Sequence, residues 1–279
     1  MFLRVVRAAG GNGVKHEYVR LVEAFRDETG KTQHRTIINL GRKDLLRTHL
    51  DLEKLTRLLH GEEASAAEAK GEDVGAIGAW DWGGMLAVEY ALTYQQHLRG
   101  LVISNMMASV PAYNEYAERV LMAQMDPAAL AEIKAFEAAG DTEDPRYMEL
   151  LMEQHYVHHV LRMPPADWPD PVQRAFAHIN PAIYVSMQGP SELGISADAS
   201  LSHWERTAGL ASIEVPTLVI GAQHDTMDPA HMKMMAGRLP RGRYLHCPDG
   251  SHMAMYDDQQ VYFAGLIGFL RDLAGPVSG

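Results

Sequence analysis

The sequence predicts an α/β protein built on a parallel β-sheet. Short apolar runs typical of buried strands alternate with helical patterns along the C-terminal two thirds of the chain. This order favours parallel strands with helices on the faces of the sheet. The 279 residues are 47% hydrophobic, which is ample for the buried core of one large domain or of two unequal ones.

Residues 1–62 form the first predicted element, a small basic module. Two β-rich runs, 16–25 and 32–40, are joined by the turn-like sequence RDETGK and predict a β-hairpin. Seven leucines between positions 45 and 59 follow at the spacing of an amphipathic helix. The stretch rich in Ala, Glu and Gly that comes next predicts a linker or junction over residues 63–82.

Residues 83–279 are predicted to form the sheet, its helices and a helical cap. The cap, over about 111–207, is predicted from helical patterns dense in Met, His and Tyr. The elements expected around it, in chain order, are a helix over 83–98, a strand over 99–106, an irregular loop at 163–171, a strand over 215–225, a helix over 229–239, a strand over 242–248 and a helix over 260–273.

Charge is divided unevenly along the chain. Residues 1–60 contain 12 Lys and Arg against 7 Asp and Glu, a net charge of +5, whereas residues 61–279 contain 13 against 29, a net charge of −16. This contrast suggests two segments with different partners. Cys247 is the only cysteine, which excludes an internal disulfide and a cysteine-ligated metal site, and we expect it to be a small buried apolar residue.

The sequence predicts neither a targeting segment nor a membrane segment. No stretch approaches 18 uninterrupted apolar residues, and the N-terminal residues MFLRVVRAAGGNG lack the apolar core of a signal peptide. We therefore expect a cytoplasmic protein without membrane contact.

Three reactive side chains lie in turns that follow predicted strands. Asp81 precedes a helix, Asp225 follows TLVIG, and His252 lies in DGSHMAM after RYLHCP. Because the carboxyl ends of parallel strands converge on one crevice, these side chains are expected to meet there. A histidine that moves protons and a carboxylate that orients it are parts of a catalytic triad. The chain order of nucleophile position, acid and histidine is that of α/β hydrolases.

Several segments resemble proline iminopeptidases, the α/β hydrolases that release N-terminal proline from peptides. Over about residues 82–272, the stretches WGGMLAVEYAL, LVISNM, MQGPSE, GAQHDTMDP and GSHMAMYDD are similar to segments of that family in the same order. The resemblance implies that Asp225 is the triad acid, His252 the general base and Glu192 the cap carboxylate that holds the α-amino group of the substrate. It implies no metal and no cofactor. Thr226 stands where some members carry a second acidic residue.

The nucleophile turn departs from the pattern of that family. The family form G-x-S-x-G-G is here AWDWGG at positions 79–84, so the first glycine and the serine are absent. The family's HGGPG loop, which supplies an oxyanion-hole N–H, is not found in the sequence, and AAGGNG at 8–13 has no preceding histidine. These departures predict impaired or absent catalysis. Trp82, beside the nucleophile position Asp81, is a candidate substrate-binding residue.

Residues 1 to about 82 resemble a different family, the N-terminal region of insertion-sequence transposases of the DDE type. The likeness lies in MFLRVVRAAG and EYVRLVEAFRDETGKTQHRTIINLGRKDLL. A join within DWGG would explain together the basic first segment, the loss of the early strands of the hydrolase sheet and the aspartate at position 81. The likeness also implies an alternative function, weak DNA binding by residues 1–60.

Asp81 has a second interpretation, in which it is itself a nucleophile. The sequence DWGG locally resembles epoxide hydrolases and haloalkane dehalogenases, whose aspartate forms an ester that an activated water hydrolyses. This alternative leaves Asp225 and His252 usable, but it does not explain why the chain resembles a transposase before residue 82 and an aminopeptidase after it.

Structural roles compete with the functional ones at two places. Glu192 has the alternative of capping a helix at Ser191 or lying solvated in a loop. His155, His158 and His159 share one predicted helix, but no acid–histidine metal signature accompanies them. We therefore expect structural or surface roles for these three histidines.

Overall fold

The computed structural model describes residues 2–9, 15–26, 31–42 and 75–274. The chain divides into two compact units, Met1–Glu72 and Asp73–Gly279. The predicted leucine-spaced helix and residues 63–74 of the predicted junction lie outside the described residues.

The first unit contains an antiparallel sheet of three strands in the order β1-β2-β3, with bounds Phe2–Ala9, Lys15–Arg26 and Thr32–Arg42. β2 and β3 confirm the predicted hairpin, and Ala24 lies opposite His34 in their register. β1 adds a strand that the sequence pattern did not assign. It pairs with β2 so that Val5 lies opposite Val19, and its FLRVVRAA sequence carries the β-branched residues that suit a sheet.

The second unit is built on a parallel sheet, as predicted. Its four described strands run in the order β4-β5-β6-β7, with bounds Gly75–Trp80, Leu98–Ser104, Thr217–Ala222 and Gly242–Cys247. Neighbouring strands are parallel and in register, with Ile103 beside Val219 and Val219 beside Tyr244. The carboxyl ends of all four strands therefore face the same edge of the sheet, where ligands bind in open α/β folds.

β4 lies within the stretch that the sequence predicts as a junction. Its sequence GAIGAW is rich in glycine and alanine, which are depleted in strands and typical of linkers. Pairing with β5, in which Ala79 lies beside Ile103, supplies the backbone hydrogen bonds that local propensity does not favour. Strand β4 thus leads directly into the turn that contains Asp81.

Helices cover the sheet and form the predicted cap. The α-helices are α1 (Trp82–Tyr94), α2 (Val110–Tyr116), α3 (Pro127–Ala139), α4 (Pro145–Leu151), α5 (Asp170–Ala177), α6 (Pro181–Met187), α7 (Pro229–Arg238), α8 (Ala254–Asp257) and α9 (Gln259–Ala274). Two π-helices, Ala117–Leu121 and Met152–Val160, and short 3₁₀ turns complete the cap between β5 and β6. None of the helices in the described ranges is long and apolar enough to cross a membrane.

An Asx–Pro pair marks the start of four helices. The side chains of Asp126, Asp144, Asn180 and Asp228 each accept a hydrogen bond from a backbone N–H of the first turn, and a proline follows each of them. The side chain satisfies a free N–H group, and proline has no N–H to leave unsatisfied and a φ angle suited to a helix start. These pairs fix where the cap helices α3, α4 and α6 begin.

In the described part of the second unit, one core cluster lies in the sheet and another in the cap. All six residues of β6 are buried, and Ile220, Cys247 and Phe269 belong to the sheet cluster. Cys247 is fully buried, as predicted, and burial raises the pKa of its thiol to about 12, so the thiol stays protonated. The cap cluster contains Ile133, Tyr147, Leu150, Leu151, Tyr156, Trp168 and Val172.

Candidate active site

Asp81 lies at the sharp turn between β4 and α1. Its φ of 55° and ψ of −134° fall in a region that residues other than glycine rarely adopt. Its N–H donates to the Ser104 carbonyl oxygen at 3.3 Å. Glycine is required at position 84, because a Cβ there would lie 2.7 Å from Cβ of Met106. The turn therefore has the strained strand-to-helix form that presents a nucleophile above a hydrolase sheet.

His252 and Asp225 lie side by side at the carboxyl edge of the sheet. Asp225 follows β6 and His252 follows β7, the neighbouring strand, and Nδ1 of His252 is 2.8 Å from Oδ1 of Asp225. Asp225 is 0% exposed and His252 is 2% exposed. The Met227 N–H donates to the same carboxylate oxygen at 3.1 Å. This contact has the geometry by which a buried acid orients a catalytic histidine.

Asp81 faces the other side of the same imidazole ring. Its Oδ1 is 3.7 Å from Nε2 of His252, which is too long for a good hydrogen bond but close enough for strong electrostatic attraction. This Oδ1 atom is buried and has no hydrogen-bond partner in the described part of the chain. The Trp80 indole N–H donates to the His252 carbonyl oxygen at 2.9 Å and helps to hold the loop. His252 is thus placed between two carboxylates.

The two carboxylates determine the charge of the His252 ring. Burial lowers its pKa, but the charge and hydrogen bond of Asp225 raise it, and Asp81 raises it further. The net result is a pKa well above the ordinary value of 6.5. Both carboxylates therefore favour the imidazolium form of the His252 ring, and in that form the ring has no lone pair with which to accept a proton.

Glu192 lies in a network of polar side chains that includes Trp82. The Tyr184 hydroxyl donates to Oε1 of Glu192, the Gln188 amide donates to the Tyr184 hydroxyl at 3.1 Å, and the Trp82 indole N–H donates to Oε1 of Gln188 at 2.6 Å. Burial and the negative charge of Asp81 raise the pKa of Glu192. The nearby His252 ring lowers it, but by a smaller amount, so the pKa stays above its ordinary value. The carboxylate is half-buried in a cavity wall rather than free in a solvated loop.

A cavity of about 870 Å³ joins these residues. Asp81, Trp82, Glu192 and His252 all contribute to its lining, whereas Asp225 lies behind His252. The rest of the wall is mostly apolar and comes from the cap, including Tyr147, Met148, Tyr156, Phe176, Ile179, Ile183 and Val185. The structure therefore places every residue proposed from the sequence either at this cavity or directly behind it.

Two further residues, Asn105 and Thr226, complete the site, and Asn105 was not predicted from the sequence. The side-chain N–H of Asn105 donates to Oδ2 of Asp225 at 2.6 Å, and the side-chain Oδ1 of Asn105 accepts from the Ser104 hydroxyl at 2.6 Å. Asn105 directly follows β5, and this position at the end of a strand was the signal in the sequence that could have identified it as a site residue. Its φ is 53°. Thr226 Oγ1 is 3.1 Å from Nδ1 of His252, so this residue contacts the histidine.

The three clustered histidines lie in the second π-helix. His155 and His159 are buried, whereas His158 is exposed. Nε2 of His155 is 3.2 Å from the Glu192 carbonyl oxygen, and burial lowers the pKa of His155 to about 3. Across the described ranges, no group of three or more His, Cys, Asp or Glu side chains is placed to hold a metal ion. His155 is therefore a neutral buried residue that supports the Glu192 loop.

Two family models match the chain, and they divide it between them. The model of the IS1634 family transposase N-terminal domain matches residues 3–73, and the model of the alpha/beta hydrolase fold matches residues 67–259. The matches overlap at 67–73, ahead of β4. Asp81 therefore lies within the part that the hydrolase model matches.

Curated relatives are proline iminopeptidases. The chain is 41% identical over 281 aligned residues to that of Elizabethkingia meningoseptica, covering 97% of this chain and 90% of the relative. It is 52% identical over 192 residues to that of Flavobacterium johnsoniae, covering 69% of this chain and 63% of the relative. The second match has the higher identity but spans less than two thirds of the relative's length.

Solved structures agree on the fold. VinJ superimposes with a TM-score of 0.70 at 28% identity, covering 78% of this chain and 73% of that one. The proline iminopeptidase of Mycobacterium smegmatis superimposes with a TM-score of 0.71 at 24% identity, covering 98% of both chains, and at this identity the likeness concerns the fold alone.

Proposed function

Because the chain belongs to the proline iminopeptidase family of α/β hydrolases, we propose that its cavity binds the N-terminal amine of a proline peptide without cleaving the peptide bond. The observation that carries this proposal is the carboxylate of Asp81 at 3.7 Å from Nε2 of His252. A serine at this position would present a hydroxyl proton to the histidine. A carboxylate has no such proton to give.

Three physical effects oppose hydrolysis at this site. Asp81 has a carboxyl group and no hydroxyl that proton loss could convert to an alkoxide, so the serine route is closed. The two carboxylates beside His252 favour its imidazolium form, which cannot act as the general base of the first step. The negative charge of Asp81 also repels the oxyanion that would form beside it, whereas catalysis needs hydrogen-bond donors at that place.

Binding, in contrast, is supported by groups that remain. Glu192 contributes a carboxylate to the cavity wall and is oriented by the Tyr184 hydroxyl. A substrate ammonium would form a charge-assisted hydrogen bond with it, and apolar cap side chains would enclose the pyrrolidine ring. Thr226, at the position where some family members carry a second acidic residue, contacts His252 instead. In this chain Asp81 is the other carboxylate that lines the cavity.

Calorimetric titration with prolinamide tests this binding role. We expect measurable binding to the native chain and binding that is about 10- to 100-fold weaker with Glu192→Gln, because a charge-assisted hydrogen bond contributes about 1.5–3 kcal/mol. Glu149→Gln, which alters an exposed glutamate of α4 outside the cavity, is the matched control and should bind as the native chain does. Equal affinity of the native chain and Glu192→Gln would overturn the assignment of Glu192.

The strained turn also supports a second candidate function, with Asp81 as a nucleophile. Its unpartnered carboxylate at the cavity could attack an epoxide carbon, and the ring-opened alkoxide would take the proton of the His252 imidazolium. Neutral His252 could then activate the water that hydrolyses the ester. Mass spectrometry of the chain after incubation with an epoxide would reveal an ester on Asp81 if this function applies, and Asp81→Asn would abolish that ester.

A further inference from the structure

Three exposed apolar side chains form a stripe along α9. Of the six large hydrophobic side chains that are exposed among the described residues, Phe263, Ile267 and Leu270 lie on this helix, at 39%, 44% and 40% exposure. Their spacing of four and three residues places them on one side of the helix, and we call them the flank stripe. Among the described residues that line the cavity, none belongs to α9. The flank stripe is therefore a surface separate from the candidate active site.

The flank stripe lies beside the face of α9 that packs on the sheet. Tyr262 and Phe269 belong to the sheet core cluster, and Leu266 packs against it. Each stripe residue follows one of these three by one position, which turns an α-helix by about 100°. The stripe therefore lies along the layer of helices and not on the side opposite the sheet. A second helix that lies beside α9 in the same layer would cover it.

The charge of α9 indicates which partner brings that helix. Residues 61–279 have a net charge of −16, whereas α9 contains only Arg271 and Asp272 as charged residues and has no net charge. A nucleic acid or a highly charged peptide would find no excess of opposite charge on this helix. A second copy of the chain is opposed by like charge over most of the surface and least opposed at a neutral apolar face. Apolar groups with polar neighbours are typical of contacts between proteins.

The flank stripe is complementary to itself when two copies of α9 lie antiparallel. A two-fold axis beside Ile267 brings the two Ile267 side chains together and places Phe263 of each copy next to Leu270 of the other. α9 has 16 residues and is therefore about 24 Å long. One pair of such helices buries less than the roughly 1,200 Å² of a lasting interface, so a dimer held by this contact is weak and depends on concentration.

We propose that the chain associates with a second copy of itself through the flank stripes of two antiparallel α9 helices. The association removes the three exposed apolar side chains of each copy from water. It goes beyond the ligand role of the cavity and does not depend on it, because α9 supplies no described residue to the cavity lining.

Sedimentation equilibrium of the full chain over a range of concentrations tests the proposal. The average mass should rise with concentration from 30.9 kDa, the mass of one chain, towards twice that value. For an interface of this small size we expect the midpoint between about 1 and about 200 µM. A mass that stays at that of one chain up to about 200 µM would overturn the proposal.

Opposite charges at Ile267 locate the contact, because this residue meets its own copy at the two-fold axis. Ile267→Lys and Ile267→Glu should each weaken self-association at least about tenfold, since like charges then face each other. An equal mixture of the two variants should associate again, because a lysine then faces a glutamate. Ile179→Lys is the matched control, at an isoleucine with the same 44% exposure outside α9, and should associate as the native chain does. Circular dichroism of each variant checks that its fold is kept.

Oxidative cross-linking of Ile267→Cys gives a second readout. Cys247, the only native cysteine, is fully buried, so the native chain should form no covalent dimer, whereas Ile267→Cys should form one.

The proposal is overturned if Ile267→Lys associates as the native chain does, if the mixture of oppositely charged variants stays monomeric, or if Ile179→Lys weakens association as much as Ile267→Lys. A native chain that stays monomeric but sediments with phosphatidylcholine vesicles, and loses this binding with Ile267→Lys, would assign the flank stripe to a lipid surface and overturn the proposal as well. Cleavage of a prolyl amide would bear on the proposed function alone, so the two failures can be told apart.

Discussion

The native chain is expected to release no measurable chromophore from a proline anilide, and Asp81→Ser alone is not expected to restore release. The first expectation follows from the charges at the site. The carboxylate at position 81 cannot give His252 the proton that starts acyl transfer, and the two carboxylates favour the protonated His252 ring, which cannot accept one. The charge of Asp81 also opposes the developing oxyanion.

The second expectation follows from the oxyanion hole. Asp81→Ser removes one of the two carboxylates that raise the pKa of His252, so the base recovers in part. The sequence still lacks the HGGPG loop that donates one oxyanion-hole N–H in the family, and loss of one such donor costs about 10²–10³ in rate. The elbow also carries alanine at position 79, where the family has a glycine.

The measurement compares four chains: native, Asp81→Ser, and each of these combined with His252→Ala. All four are expected to show the rate of the uncatalysed reaction. Activity in either parent that disappears with His252→Ala would show that a working site survives, and the proposal of a non-cleaving protein would then be wrong.

Asn105→Ala is expected to destabilise the second unit by at least about 3 kcal/mol. The substitution removes the amide that donates to Oδ2 of the fully buried Asp225. Leaving a buried acceptor without its donor costs about 1–3 kcal/mol, and more when the acceptor is charged. Alanine at the φ of 53° adds about 1–2 kcal/mol of backbone strain, which asparagine tolerates better.

Urea denaturation followed by tryptophan fluorescence measures this effect. All four tryptophans, at positions 80, 82, 168 and 204, belong to the second unit, so the signal reports that unit alone. Asn114→Ala is the matched control, because this half-buried asparagine bonds only to the backbone of Ile195, and we expect a loss of about 1–2 kcal/mol. Losses of equal size in the two variants would contradict a special role of Asn105 in holding Asp225.

Much of the second unit could be predicted from the sequence because its elements differ in periodicity. The runs LVIS and TLVIG form β5 and β6, and the helical pattern after residue 259 forms α9. In a parallel sheet the carboxyl ends of the strands share one edge, so residues that follow the strands are brought together even when they are far apart in sequence. The contact of Asp225 with His252 across 27 positions has this origin.

The remaining features depend on contacts that no local pattern encodes. β4 is a strand because β5 lies beside it, although its glycines and alanines favour a linker. Asn105 has a left-handed backbone conformation and bonds to Asp225, which is 120 positions away. Neither feature is visible in the sequence, where Asn105 is an ordinary polar residue after a strand. The charge of His252 depends on the geometry of two carboxylates, which spacing along the chain does not provide.

The protonation state of the His252 ring at pH 7.5 tests the central claim most directly. The ¹⁵N chemical shifts of its two ring nitrogens can be measured by NMR in labelled protein and assigned by comparison with His252→Ala. The charges of Asp225 and Asp81 predict that both nitrogens carry protons in the native chain, and that Asp81→Asn lowers the pKa of the ring towards its ordinary value. A neutral His252 ring in the native chain at this pH would contradict the claim that Asp81 disables the base.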